Sequence, residues 1–133
     1  MIVSFIVYCG GSGVYFSPLN FIKNPFLWLY LISKYFSSLS FFIDRYHATH
    51  LQAPNFAYSL INKRLPVPSY YEPIDLSSVE HIFNAAEPIQ INVFEQFNKN
   101  MEKYHLSPQS MVGGYGLAEN CVYLCFLFFV RFE

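Results

Sequence analysis

Charge is what this 133-residue chain has least of: Lys and Arg together number 8, Asp and Glu 9, and charged residues make up 13%. A nucleic-acid interface needs clustered cations, and a net charge of −1 with a pI near 6.4 excludes that class. Cysteine is also scarce. Cys9, Cys121 and Cys125 are an odd count without CxxC spacing, which argues against a disulfide scaffold and a zinc site and for reduced, buried thiols. The four histidines, His47, His50, His81 and His105, lie too far apart in pattern to suggest a shared metal, and they read as surface or half-buried polar residues. Long apolar runs are missing too. Met1–Cys9 and Cys121–Val130 fall well short of the roughly 20 residues of a spanning helix and better suit buried strands, so no transmembrane segment is expected. No basic residue precedes the first run, which makes it a poor secretory signal, and a cytosolic (cytoplasmic) chain is the expectation. Gly10-Gly11-Ser12-Gly13 lacks the Lys or Thr exit of a phosphate cradle and reads as a structural turn. The length allows one compact unit, not a two-domain enzyme closing over its substrate.

What the chain has in quantity is apolar surface: hydrophobic residues make up 53% and aromatics 20%, which excludes disorder and implies surface that wants a partner. Met1–Tyr8 reads as a strand, with Val14-Tyr15-Phe16 a short extended piece. Ser17-Pro18 and Asn24-Pro25 each place a capping residue before a proline in the first helical position, so two short helices are expected. In the second, Phe26, Leu29, Tyr30 and Ile32 fall close to helical spacing. His47–Ala53 looks extended. Pro54-Asn55 then opens a helix through Phe56, Ala57, Leu60 and Ile61 that Lys63-Arg64 closes with the right charge. Leu65–Leu76, with its prolines, is a loop. Val79–Phe83 reads as a strand ending at Asn84. Asn92 with Glu95 has the form of a capping box, and Val93, Phe94, Phe97, Met101 and Tyr104 recur as one buried stripe, leaving Glu95, Lys99 and Lys103 wet. Strands separated by crossover helices predict an α/β layered fold, with ligands at the carboxyl ends of the strands.

Two stretches at such ends carry chemistry: Asn84-Ala85-Ala86-Glu87-Pro88 and Gly114-Tyr115-Gly116-Leu117-Ala118-Glu119. Gly113, Gly114 and Gly116 let the backbone turn sharply and admit a flat ring, and Tyr115 then offers a stacking face. Glu119 is a hard oxygen ligand of the kind Mg²⁺ accepts beside phosphate oxygens. Ala85 and Ala86 leave similar room, with Glu87 and Pro88 ending the turn. The same residues also read as an ordinary turn with a solvated carboxylate, and Phe56, Ala57 and Leu60 as plain core.

Taken together, Ser17–Leu29, Ala53-Pro54-Asn55-Phe56-Ala57-Tyr58, Asp75-Leu76-Ser77-Ser78, Asn84–Pro88 and Tyr115–Glu119 resemble the fatty-acyl-AMP ligases. These belong with the acyl-CoA synthetases to the adenylate-forming, AMP-binding superfamily. The match follows that family's order and nearly its spacing from Val14 to about Leu124, which makes residues 1–133 similar to an internal part of the large N-terminal domain. The resemblance implies activation of a fatty acid by ATP, as the Mg²⁺ complex, to an acyl-adenylate. It implies that Ala85, Ala86, Glu87, Gly114, Tyr115 and Gly116 contact the nucleotide (ATP or AMP), that Glu119 holds Mg²⁺, and that Pro54, Asn55, Phe56, Ala57 and Tyr58 line the acyl pocket. Leu117-Ala118 replaces the threonine many relatives carry before the glutamate, so no hydroxyl contact to phosphate is expected. The family's phosphate loop with its lysine, its ribose-binding aspartate and its C-terminal lysine are not found, which implies a catalytically incomplete piece missing the remainder of a synthetase. Residues 36–46 read as an insertion and 125–133 as a tail foreign to the family, both without designed structure. The alternative is a non-enzymatic module that binds lipid or a partner chain.

Overall fold

The computed structural model describes residues 13, 15, 17–33, 48–71, 73–116 and 125–128. The expected strand at Met1–Tyr8, the Gly10–Gly13 turn as a whole, the 36–46 insertion, Leu117-Ala118 and Glu119 lie outside these residues.

Two short helices open the described part, α1 (Pro18–Lys23) and α2 (Pro25–Ile32), each with proline at its first position. Ser17 and Asn24 occupy the cap positions without a side-chain bond to their helices. Asn24 instead donates its side-chain amide to the Tyr71 hydroxyl, tying the helix junction to a 3-10 turn at Ser69–Tyr71. Phe26, Leu29 and Ile32 are buried, and Tyr30 packs at 5.5 Å on Tyr71.

The frame is a four-stranded sheet in the order β1-β2-β3-β4: β1 (His50–Ala53), β2 (His81–Asn84), β3 (Met111–Tyr115) and β4 (Cys125–Phe128). The first three strands are parallel and β4 runs antiparallel to β3. Parallel neighbours need crossovers, and α3 (Asn55–Arg64) and α4 (Ile91–Met101) supply them. The layered α/β fold expected from the sequence is the fold observed. Residues 125–128 form a strand, as the apolar run predicts, and not a stretch without structure: their backbone completes the ladder along β3.

Alternation along the strands sorts the two faces of the sheet. Leu51, Ala53, Ile82 and Met111 face the crossover helices and join Ala57, Tyr58, Ile61, Phe94, Phe97 and Met101 in one core. Tyr58 sits at its centre, with Phe97 and Phe94 at 5.0 and 5.3 Å. The predicted α4 stripe is the buried one, and Glu95, Lys99 and Lys103 are exposed. The capping box is not formed. Helix α4 starts at Ile91 with Gln90 in the cap position, because the Gln90 N–H is already held by Asn55 Oδ1 at 3.1 Å. A tertiary bond thus fixes the helix start ahead of Asn92.

The loop before β2 is organised by Asp75. Its N–H donates to Ser33 Oγ at 2.7 Å, its Oδ1 accepts the Ser77 N–H at 3.0 Å, and His105 Nδ1 lies 3.2 Å from the same oxygen. Burial pushes this carboxyl up, but the Ser77 backbone and hydroxyl and the His105 ring outweigh burial and leave it below its ordinary value. A lowered folded pKa contributes stability that is complete above the ordinary carboxylate value of about 3.9 and drains as pH falls through the folded value. The urea midpoint of the wild-type chain should therefore drop on acidification through that range, and Asp75→Asn should be less stable at neutral pH with a flatter acid limb. An unchanged acid limb in Asp75→Asn would exclude this role.

Candidate functional site

Parallel pairing puts Ala53, Asn84 and Gly113 in one row across β1, β2 and β3. The segments that leave those strand ends are Pro54-Asn55, Ala85–Pro88 and Tyr115-Gly116. Sequence-distant motifs are thus brought to one edge.

A polar knot holds this edge. Asn84 is fully buried and donates Nδ2 to Asn55 Oδ1 at 3.2 Å, the same oxygen that accepts the Gln90 N–H. One side-chain oxygen therefore joins the end of β2, the start of α3 and the start of α4. Asn84 Oδ1 is buried without a hydrogen-bond partner.

Glu87 completes the start of α3. Pro54 occupies the cap position and has no side-chain hydroxyl or amide to offer, so the first N–H groups of the helix need an outside acceptor. Glu87 Oε1 accepts from the Phe56 N–H, placing a carboxylate at the positive end of the helix. Ala86 adopts a left-handed backbone (φ 75°), unusual for alanine, and this turn directs the chain from Ala85 back to α3.

The glycines behave differently from expectation. Gly113 and Gly114 lie within β3 and not in a turn, because both are paired, Gly113 with Asn84 and Leu127 and Gly114 with Phe126. A Cβ at Gly114 would sit 3.4 Å from the Ala85 Cβ, in ordinary contact. Gly114 thus lies against Ala85 with no side chain of its own between them. Tyr115 ends the strand with 57% of its surface exposed, so its ring is free to meet a flat partner.

Of the residues assigned to an acyl pocket, Asn55, Ala57 and Tyr58 are buried, Pro54 is half-buried and Phe56 is 47% exposed. The Phe56 ring meets Phe21 edge-on at 6.4 Å. Burial pushes the Tyr58 phenol well up, only partly offset by a hydrogen bond with the Ala53 backbone, and the neutral hydroxyl donates to the Phe83 carbonyl at 2.8 Å. Two shallow grooves open elsewhere, one along Ser59, Asn62 and Val93, the other along Leu65, Lys99 and Lys103. The knot between Asn55 and Asn84 had no sequence signal, since neither its partners nor its burial follows from spacing. Spacing along the chain sets the histidines apart, whereas β1 and β2 bring His50 and His81 side by side, ring centroids 4.9 Å apart, with Glu80 adjoining.

The comparisons with known proteins agree with this fold. No family model matches the chain. The medium-chain-fatty-acid–[acyl-carrier-protein] ligase TtuA of Teredinibacter turnerae is 31% identical over 118 residues, 89% of this chain and 16% of the relative. The fatty acid AMP ligase of Legionella pneumophila superposes with a TM-score of 0.74 at 31% identity, covering 90% of this chain and 19% of that one. The fatty acyl-adenylate ligase of the same organism, solved with acyl adenylate and pyrophosphate, gives a TM-score of 0.70 at 34% identity over 85% of this chain and 18% of its own. The described fold is therefore part of the adenylate-forming enzyme fold. Within that class the chain is a homologue of the fatty-acyl-AMP ligases, and it spans less than a fifth of the length of these three proteins.

Asn55→Ala strands the buried Asn84 amide, which costs about 1–3 kcal/mol when left unmade, and the part-buried Gln90 N–H as well. Tyr58→Phe keeps the ring in the core and removes only the hydroxyl with its bonds to the Phe83 carbonyl and the Ala53 backbone, a loss of about 0.5–1.5 kcal/mol per typical hydrogen bond. Urea denaturation should rank Asn55→Ala as more destabilising than Tyr58→Phe, and equal stabilities would contradict the shared-acceptor geometry.

Proposed function

We propose that this chain supplies the adenine-facing edge of a ligase that activates fatty acids with ATP, and that alone it is catalytically incomplete. The observation that carries this reading is the convergence of the 54–58, 85–87 and 114–116 segments on one strand-end row in a homologue of fatty-acyl-AMP ligases. Ala85, Ala86 and Glu87 border the adenine, Gly114 and Gly116 keep its shelf bare, and Tyr115 stacks on it. Gly114 against Ala85 and an exposed phenol at the strand tip suit a flat, aromatic base. The reaction of the whole enzyme is attack of a fatty-acid carboxylate on the α-phosphorus of ATP, with pyrophosphate leaving and an acyl-adenylate formed. Glu119 would hold Mg²⁺, which would supply neutralisation of the phosphate charge. Pro54–Tyr58 form the acyl side, where Phe56 presents the exposed ring. Residues 36–46 are an insertion and 125–133 a tail foreign to the family. The setting is cytosolic, and no helix among the described residues is long and apolar enough to cross a membrane.

A segment exchange tests the reading. Residues 48–116 replace the matching part of the Legionella pneumophila ligase, and fatty-acid-dependent pyrophosphate release is followed. The exchange should retain activity, with Tyr115→Ala raising the KM for ATP about tenfold, in line with about 1–3 kcal/mol per stacked base. The 133-residue chain alone should bind ATP with Mg²⁺ only weakly and release no pyrophosphate. Micromolar ATP binding by the chain alone, lost in Tyr115→Ala, would refute incompleteness. An active exchange indifferent to Tyr115→Ala would refute the stacking role.

A second reading is a lipid- or partner-binding module without enzymatic activity. It draws on Phe56 and on Leu19 and Ile22 of α1, all exposed. Saturable binding of a fluorescent fatty acid to the chain alone, abolished by Phe56→Asp, is the result this reading expects. No binding counts against it.

A further inference from the structure

At the amino ends of β1 and β2, about 10 Å along the strands from the adenine-facing edge, His50, Glu80 and His81 form a separate cluster. His50 and His81 are the first residues of the two strands and are paired in register. One ligand-type atom from each of the three residues lies within 4.8 Å of the others. We propose that this cluster binds a divalent cation of the zinc class, clamping the starts of β1 and β2 together.

Several observations support a built site. The Thr49 carbonyl accepts both the Glu80 N–H at 2.8 Å and the His81 N–H at 3.0 Å, which fixes the backbone of two ligands against the strand carrying the third. His50 Nδ1 lies 2.9 Å from Thr49 Oγ1. A hydrogen bond at that nitrogen leaves Nε2 as the ligand atom, as outer-shell partners do at metal sites. The His81 Nδ1 is buried with no hydrogen-bond partner, so this imidazole carries an unmet polar atom. The two rings also stack over Phe83, at 6.3 and 6.0 Å, which limits their swing.

The donor set selects the ion. Two imidazole nitrogens and one carboxylate suit Zn²⁺ or its first-row neighbours, whereas Mg²⁺ prefers oxygen ligands in a rigid octahedron. Bonds of about 2.0 Å put ligand atoms of a tetrahedral ion about 3.3 Å apart, so the cluster must contract. His50 and Glu80 are exposed, so small side-chain adjustments close that gap. Three protein ligands leave a position for water.

Titration of the full chain with Zn²⁺ by calorimetry, alongside visible spectra with Co²⁺, tests the proposal. One Zn²⁺ per chain should bind and raise the melting temperature, with Mg²⁺ in excess failing to compete. His50→Ala and Glu80→Gln, both at exposed positions, should each weaken Zn²⁺ binding about tenfold or more and remove the thermal shift. His105→Asn, which keeps a residue tolerant of the left-handed backbone there (φ 64°), should leave Zn²⁺ affinity unchanged. Circular dichroism confirms that each variant is folded. Absence of one-to-one binding, or affinity unchanged in folded His50→Ala and Glu80→Gln, overturns the site. Neither result bears on the adenine-facing edge, which these residues do not touch.

Discussion

One side-chain oxygen, Asn55 Oδ1, is the constraint on which the candidate site depends. It accepts from the last residue of β2 and from the residue ahead of α4, while its own residue opens α3. Buried donors left without acceptors are expensive, so the three segments must arrive together or not at all. The backbone that follows is then determined: Ala86 turns left-handed, and Glu87 reaches the Phe56 N–H at the start of α3. The contact of Ala85 with Gly114 is a by-product of that closure.

The two ends of the sheet divide the chemistry. The carboxyl edge is bare, small-residued and aromatic, which suits a planar ligand held by stacking. The amino edge carries imidazole and carboxylate groups, which suit a soft-to-borderline cation. Parallel pairing generates both, because it places all three amino ends on one side of the sheet and all three carboxyl ends on the other.

Much of this was legible in the sequence. Alternation and capping located β1, β2, α1, α2 and α3, and the order of strands and helices implied the layered α/β fold. The stretches around Ala85 and Tyr115, read with the helix after Pro54, carried the resemblance that the relatives support at the level of family. The start of α4 was not legible, because a local signal at Asn92 and Glu95 lost to a bond from Asn55. Gly113 and Gly114 read as a turn because glycine weakens strand patterns, while pairing on both sides keeps them extended. The histidine pair was invisible for the simplest reason: His50 and His81 are neighbours only across strands, and spacing along the chain says nothing about register.

On the proposed reading, Ala85, Ala86 and Tyr115 form one surface for a purine. Methyl-labelled alanine NMR on the chain, titrated with millimolar AMP, tests it most directly. Concerted ring-current shifts of the Ala85 and Ala86 methyls, lost in Tyr115→Ala, are expected, while the buried Ala57 methyl stays still. Shifts spread over unrelated alanines, or none at Ala85 and Ala86, would contradict it.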